Sequence, residues 1–418
     1  MGSIKNYDDE VSIETENRKL TIEFINIVHD LWYDKSIELV LFKNSLIDKR
    51  ASEVLNLISY AKQFINKPIS ITDILSISKS IHELDLQPSK LDIGKLVYEF
   101  HLNTNKHLYK TEFVKHQLKE IKKIKKQLPK DVILYGFGRI GRLLTRELMV
   151  QIGRGSQLRL RAIVTRGEID QSVLEKRASL LRTDSVHGNF LGTVEVDLEN
   201  NALIINGTTV YMISASKPEN IDYNKYQITD ALVIDNTGAF RGFKELSRHL
   251  ASKGASKVLL TAPSEGIPNI VYGVNHKKHN PELESIYSAA SCTTNAITPI
   301  LKVIEENYGI KKGHIETVHA YTNDQNLVDN MHSKHRRGRA AALNMVITET
   351  GAASAATKAL PKLKGKLTSN AVRVPVPNGS LAILNLQLKT SANKDSLNAI
   401  MKQNALDGEL VEQIKYSI

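Results

Sequence analysis

Cysteine is almost absent: among 418 residues only Cys292 carries a thiol. One cysteine cannot close an internal disulfide, so the chain needs no oxidising compartment and the cytoplasm is the expected location. Long hydrophobic runs are missing as well. Nothing approaches the about 18–20 apolar residues of a membrane span, which excludes a helical membrane protein. The opening stretch MGSIKNYDDEVSIE lacks a basic segment followed by an apolar core, so no secretory signal is read there. Gly2 stands where a myristoyl chain would attach, but Asp8 and Asp9 follow it and give an anchor no polybasic support. Glycine is lacking between Gly2 and Gly94, which argues against a turn-rich β region in that part of the chain.

What is present is a soluble, basic profile. Charged residues make up 24% and hydrophobic ones 41%, as in globular proteins, and the length suits two or three domains. Lysine and arginine outnumber acidic residues 56 to 45, a net charge of +11. Such a charge fits anionic substrates or a basic surface, and since no nucleic-acid motif occurs, a nucleic-acid partner is not expected.

Residues 1–128 read as a helical extension, with apolar residues recurring near the helical period: Leu20, Phe24 and Val28; Ile37, Leu39, Val40, Leu41 and Leu46; Val54, Leu57, Ile58 and Phe64. Asp73 and Asp92 are read as helix caps. Lys115–Lys126 is expected to form a helix with an apolar stripe (Leu118, Ile121) and a lysine face that is solvated surface. Pro129 ends it and marks a domain boundary. From residue 131 short strand-like runs alternate with helical stretches: 132–135, 161–165, 210–213, 231–235 and 257–260. This predicts a parallel sheet covered on both faces.

The first of these runs leads into Gly136-Phe137-Gly138-Arg139-Ile140-Gly141-Arg142, and a helix is expected from Arg142 to Val150. Three glycines between a strand and a helix allow a sharp turn and let a pyrophosphate approach bare backbone at a helix N-terminus. At the end of the second strand an acid would bind a ribose hydroxyl. Here Arg166 follows Thr165 and Glu168 comes late, so acceptance of NADP alongside NAD is expected.

Cys292 lies in Ala290-Ser291-Cys292-Thr293-Thr294-Asn295, ahead of an apolar-periodic helix with Pro299 near its start. A cysteine at a helix N-terminus is biased toward thiolate. Such a nucleophile needs a base, and Val318-His319-Ala320 at the end of another apolar run offers one. Taken alone, a single cysteine is more often inert core and a histidine at a strand end more often surface, and composition does not settle the choice.

These segments, taken in order, resemble the glyceraldehyde-3-phosphate dehydrogenase family. The likeness is carried by Gly136–Arg142, Asp184–Gly188, Asn236-Thr237-Gly238, Ser291–Asn295, His319–Thr322, Arg336–Ala342, Thr350–Ala353, Gly365-Lys366-Leu367 and Arg373–Asn378. It spans residues 131–418. It implies a Rossmann-type doubly wound parallel sheet at 131–290 and an α/β catalytic domain with a mostly antiparallel sheet at 291–418. It further implies a cytoplasmic homotetramer that oxidises glyceraldehyde 3-phosphate with NAD or NADP and inorganic phosphate. Cys292 would form a thioester with His319 as base. The substrate phosphate would fall to Thr322, Asp324 and Arg373, and the attacking phosphate to Ser291, Thr293, Thr350 and Gly351, with Arg337 between them. Cofactor contacts would come from Gly136, Phe137, Gly138, Arg139, Ile140, Gly141, Arg166, Thr237, Gly238 and Thr261. No metal is implied.

The chain departs from the family pattern in three places. The first 128 residues have no counterpart in the short members. Asn330-Met331 stand where NAD-dependent members carry Leu-Pro. The family also continues beyond the point matched by Ile418, through a Trp-Tyr-Asp-Asn-Glu stretch, so a longer chain is expected. An erythrose-4-phosphate dehydrogenase shares nearly all these motifs. Non-phosphorylating and aspartate-semialdehyde enzymes fit them less well. A dinucleotide-binding protein with a nucleic-acid or protein partner is the reading of a different class.

Overall fold

The structure, a computed structural model, describes residues 6–61, 65, 68–102, 109–121, 128–151, 158–348 and 350–417. Two compact units emerge: Met1–Pro129 with Gln151–Gln157, and Lys130–Val150 with Leu158–Ile418. No helix among the described residues is long and apolar enough to cross a membrane.

The N-terminal unit begins with α1 (Tyr7–Lys35), capped by the Asn6 side chain, which accepts from the amide of Asp8. Phe24, Val28 and Leu31 bury one face of its second half. There follow β1 (Ile37–Leu41), β2 (Asn44–Ser45), α2 (Ala51–Ala61), α3 (Ile71–His82), β3 (Ser89–Asp92), α4 (Ile93–Leu102) and α5 (Lys110–Gln117). The apolar run at 37–41 is therefore a strand and not the helix that its spacing suggested. It is the middle of a three-stranded sheet ordered β2-β1-β3, covered on both faces, so it lacks the alternation that marks a half-exposed strand. Its turn is built without glycine: Phe42 and Lys43 take φ of 44° and 72°. Asp92 holds both amides while capping α4 at Lys95, as its capping role requires. For α3 the cap is Ser70 rather than Asp73, which sits in the first turn. Of the lysine-rich segment, 115–121 is described and 122–126 lies outside the described residues.

The second unit opens with β4 (Lys130–Tyr135), α6 (Arg139–Val150), β5 (Leu158–Thr165) and α7 (Gln171–Arg182). Next come a small hairpin β6–β7 (Thr183–Asp184, Gly188–Asn189) and strands β8 (Val194–Asp197), β9 (Ala202–Ile205), β10 (Thr208–Ser214) and β11 (Ala231–Asp235). Then α8 (Phe243–Leu246), β12 (Ala255–Leu260) and β13 (Ile286–Ser288) complete an eight-stranded sheet ordered β13-β12-β11-β4-β5-β10-β9-β8. Its pairings from β13 to β10 are parallel; β9 and β8 join antiparallel. The chain runs outward one way from β4 through β5 and returns on the other side through β11. That reversal beside β4 is where open α/β sheets leave a crevice for ligands. Helix α6 starts at Arg139, one turn earlier than its apolar pattern suggested.

The second sheet is fed by α9 (Cys292–Tyr308) and contains β14 (Ile310–Ala320), β15 (Val346–Thr348), β16 (Leu367–Val374) and β17 (Ser380–Leu388), with α10 (Ala352–Ala359) and α11 (Lys394–Leu406). Its order is β15-β16-β14-β17; only β14–β16 is parallel, so two of its three pairings are antiparallel. Leu384 and Leu386 turn inward against Ile297, Leu301 and Ala356, burying α9 and α10 on one face. Pro299 lies inside α9, not near its first residue.

Candidate active site

Cys292 is the first residue of α9. Ser291 caps that helix: its hydroxyl accepts from the amide of Thr294 at 3.0 Å. The chain reaches this cap through Ala290, a buried non-glycine residue at φ 58°, a conformation that costs energy and persists only where neighbours fix it. The Ser288 hydroxyl accepts from the Ala290 amide, and Asn295 donates to the carbonyls of Ala289 and Ser291. The thiol is thus aimed by a strained backbone step locked from both sides, and it remains exposed.

His319, second from the end of β14, places Nε2 3.4 Å from the Cys292 sulfur. The hydrogen bond and charge of His319, with a smaller contribution from Thr293, bring the thiol down to about 7 against burial, which opposes the charge. His319 is raised in turn, first by the same hydrogen bond. The two shifts describe one thiolate–imidazolium pair. In that state both ring nitrogens donate, Nε2 to sulfur and Nδ1 to the Ala320 carbonyl at 2.7 Å. Arg373 faces His319 across the parallel β14–β16 register, and its Nη1 donates to the same carbonyl at 2.9 Å. This brings Nη1 within 2.8 Å of Nδ1, and its charge opposes protonation of the ring. Burial, then the charge of Arg337, lowers Arg373 itself.

A cleft of about 720 Å³ opens over this pair, lined by Ser291, Cys292, Thr293, His319, Thr350, Gly351 and Arg373 among others. Five of the eight anion-site candidates therefore face the thiol together. Thr322, Asp324 and Arg337 do not line this cleft; they sit on the loop that follows β14, where Asp324 forms an ion pair with Arg337. Three charged residues line the cleft without having been singled out from sequence: Arg241, Glu265 and Lys358. Lys358 was legible in principle, because Gly351, Ser354, Ala355 and Lys358 repeat at helical spacing on the face of α10 turned to the cleft.

The glycine turn fits a dinucleotide. Gly136 has φ 110°, and a Cβ on Gly141 would lie 2.4 Å from the Gly136 carbonyl, so neither tolerates a side chain. A Cβ on Gly138 would meet nothing within 4 Å, leaving bare backbone open at the start of α6. Asn236 Oδ1, buried and without a partner, flanks both Gly136 and Gly141. Phe137 is buried, while Ile140 is half exposed on the first turn of α6. Thr237, Gly238 and Thr261 gather at the ends of β11 and β12. The amide and hydroxyl of Thr237 donate to Asp235 Oδ1, and Thr261 donates twice to the Asp235 carbonyl. Asp235 binds the fully buried His249 at 2.9 Å, a pair that sequence reading missed because its members are 14 residues apart. Arg166 is exposed at the end of β5, close enough for its charge to act on Tyr135.

Comparison with known proteins agrees with this geometry. Residues 130–242 match the NAD binding domain of glyceraldehyde 3-phosphate dehydrogenase, and residues 291–417 match its C-terminal domain. A glyceraldehyde-3-phosphate dehydrogenase-like protein of Pseudomonas aeruginosa is 45% identical over 398 residues, 94% of this chain and 86% of that protein. The chain belongs to the glyceraldehyde-3-phosphate dehydrogenase family. The glyceraldehyde-3-phosphate dehydrogenase of Streptomyces coelicolor is 41% identical over 276 residues (66% of this chain, 78% of the relative). Glyceraldehyde-3-phosphate dehydrogenase 1 of Bacillus subtilis is 38% identical over 283 (68% and 80%). The Pseudomonas match covers enough of the chain to take in most of the N-terminal unit. The protein is thus an NAD(P)-dependent oxidoreductase of this family, with the dinucleotide crevice beside β4 and the Cys292–His319 pair in one unit.

Proposed function

We propose that this protein oxidises glyceraldehyde 3-phosphate in the presence of inorganic phosphate, through a thioester on Cys292. The observation that carries this reading is the 3.4 Å contact of Cys292 with His319 inside a cleft that also presents Ser291, Thr293, Thr350, Gly351 and Arg373 to anions. The thiolate attacks the aldehyde carbon, forming a C–S bond. The start of α9 and His319 stand beside the oxygen on which charge develops. His319, protonated in the resting pair, gives its Nε2 proton to that oxygen to complete the thiohemiacetal, and the neutral ring then takes the hydroxyl proton back as the hydride leaves. NAD or NADP, held by the glycine turn and the ends of β11 and β12, supplies the hydride acceptor when bound. Phosphate oxygen displaces the thiolate from the thioester, which preserves the oxidation energy in a mixed anhydride. Arginine suits the anion subsites because its planar fork binds phosphate oxygens in pairs. Arg337, held by Asp324 on the loop after β14, lies outside the cleft but close enough for its charge to act on Arg373, and would need that loop to turn inward to meet a phosphate.

Acceptance of NADP is supported by the exposed Arg166 and by the buried Thr165 hydroxyl beside it, which lacks a partner. Assembly as a homotetramer is supported by the outer face of the second sheet, where Leu381 is 59% and Ile347 60% exposed. A cytoplasmic setting suits a lone reduced thiol. The test is the initial rate with glyceraldehyde 3-phosphate and phosphate, run with NAD and with NADP, and with arsenate replacing phosphate as a control. Phosphate-dependent reduction of either cofactor supports the reading. A folded protein with a reactive thiol that reduces neither would overturn it. Light scattering reads the assembly state.

A further inference from the structure

Arg139 is the first residue of α6, next to the open backbone of Gly138. Its side chain reaches out of the dinucleotide turn altogether: Nη1 donates to the Pro377 carbonyl at 3.2 Å, 238 residues away. Pro377 belongs to the loop 375–379 between β16 and β17. The loop and Ser380, which follows it as the first residue of β17, have one further anchor each, at Tyr321 just past the strand that carries His319 and at Ala320, the last residue of that strand. The Tyr321 amide donates to the Val376 carbonyl at 3.1 Å, and the Ala320 amide donates to Ser380 Oγ at 3.4 Å. Arg373 stands two residues before the loop and shares the Ala320 carbonyl with His319. A displacement of this loop therefore moves Arg373 and His319 together.

A guanidinium has five N–H donors, and only one of Arg139's serves Pro377. The others engage no described residue, and the Arg139 backbone begins α6, at whose N-terminus the aligned peptide dipoles and open amides already favour an anion. One side chain can thus hold a phosphate oxygen and the loop at once. We propose that Arg139 is a positioning residue that couples occupancy of the pyrophosphate site to the placement of the Arg373–His319 pair, and through it to the reactivity of Cys292. This rests on the reading of Cys292 and His319 as the reacting pair. A coupling carried by a single partly exposed contact belongs at the low end of those measured between sites, about fivefold.

The test uses ADP-ribose, which has the pyrophosphate and both riboses but no nicotinamide to touch the sulfur. Alkylation of Cys292 by neutral iodoacetamide is followed at pH 7 with and without saturating ADP-ribose, in the wild type, Arg139→Met and Arg139→Lys. Calorimetry establishes saturation, and thermal unfolding establishes that each variant folds. In the wild type ADP-ribose should change the alkylation rate by about fivefold. Arg139→Met should lose that response at saturation, while Arg139→Lys, which keeps a single charged donor, should restore part of it. An undiminished response in Arg139→Met, as a simple long-range field from the pyrophosphate would give, overturns the proposal; so does a wild type that does not respond. His319→Asn separates the two levels. If it leaves alkylation unchanged, the reading of the reacting pair fails. If it changes alkylation while Arg139→Met behaves as wild type, the coupling alone fails.

Discussion

Replacing His319 by Asn should do more than slow the thiol: it should reverse the order of the two proteins at high pH. In the wild type the His319 contact at 3.4 Å is the largest cause that brings Cys292 from an ordinary 9.0 to about 7. Without it the thiol returns toward 9.0, leaving about 1% thiolate at pH 7 in place of about half, a loss of about fiftyfold in the reactive form. A more basic thiolate is also a better nucleophile. With a Brønsted slope near 0.45, two units make each thiolate about eightfold faster. The product is a rate about sixfold lower than wild type at pH 7, equality near pH 8, and a rate about sevenfold higher at pH 10. The assay is pseudo-first-order alkylation by iodoacetamide between pH 5.5 and 10.5, read by loss of the only thiol. Curves that stay parallel across this range, or a variant whose inflection stays near 7, would refute the argument that the imidazolium holds the thiolate. Catalytic turnover should fall further, by about 10²–10⁴, because the proton acceptor is lost as well.

Four other outcomes are expected. Cys292→Ser should eliminate both oxidation and alkylation, measured by dinucleotide absorbance and by mass; residual turnover would point to another nucleophile. Arg166→Asp should move the NADP-to-NAD ratio of kcat/KM toward NAD by about 10–100-fold, the weight of one charged hydrogen bond, in steady-state kinetics. Gly141→Ala forces a methyl to within 2.4 Å of the Gly136 carbonyl, so urea unfolding should show about 1–3 kcal/mol less stability and calorimetry a weaker dinucleotide complex. Asp184 accepts from Arg142 and from His187, and Arg142, then His187, holds its carboxyl far below the ordinary 3.8. A depressed carboxylate stabilises above its unfolded value and ceases to do so as pH falls. Wild type should therefore melt above Asp184→Asn at neutral pH, and the gap should narrow steadily as pH falls further and further below about 4, in scanning calorimetry.

Much of the site could be read from sequence because its chemistry sits on backbone features that leave local marks. Gly136 and Gly141 declare a turn that only glycine makes, and Ser291-Cys292 declares a capped helix start. What escaped reading depends on tertiary neighbours. Ile37–Leu41 is a strand because sheet partners and helices enclose it, which no periodicity reports. The φ of Ala290 follows from bonds to Ser288 and Asn295, and nothing in the side chain announces it. Arg241 enters the cleft only through its place after Phe240, ahead of the single turn of α8, so no spacing pattern marks it. The division of the anion candidates, with Ser291 and Thr350 in the cleft and Thr322 outside it, is likewise set by how the loop after β14 folds back.

The pairing of β14 with β16 runs unbroken over eight positions, from Gly313 with Leu367 to Ala320 with Val374, and His319 meets Arg373 inside it. A strand cannot slip by part of a residue, and a slip of one residue turns every side chain to the opposite face. His319 and its arginine neighbour are therefore either in register or on opposite faces of the sheet, with no intermediate register between. Heat or denaturant should leave each surviving molecule fully competent while reducing their number. Activity lost to heat or denaturant is accordingly a count of the sheets that have come apart.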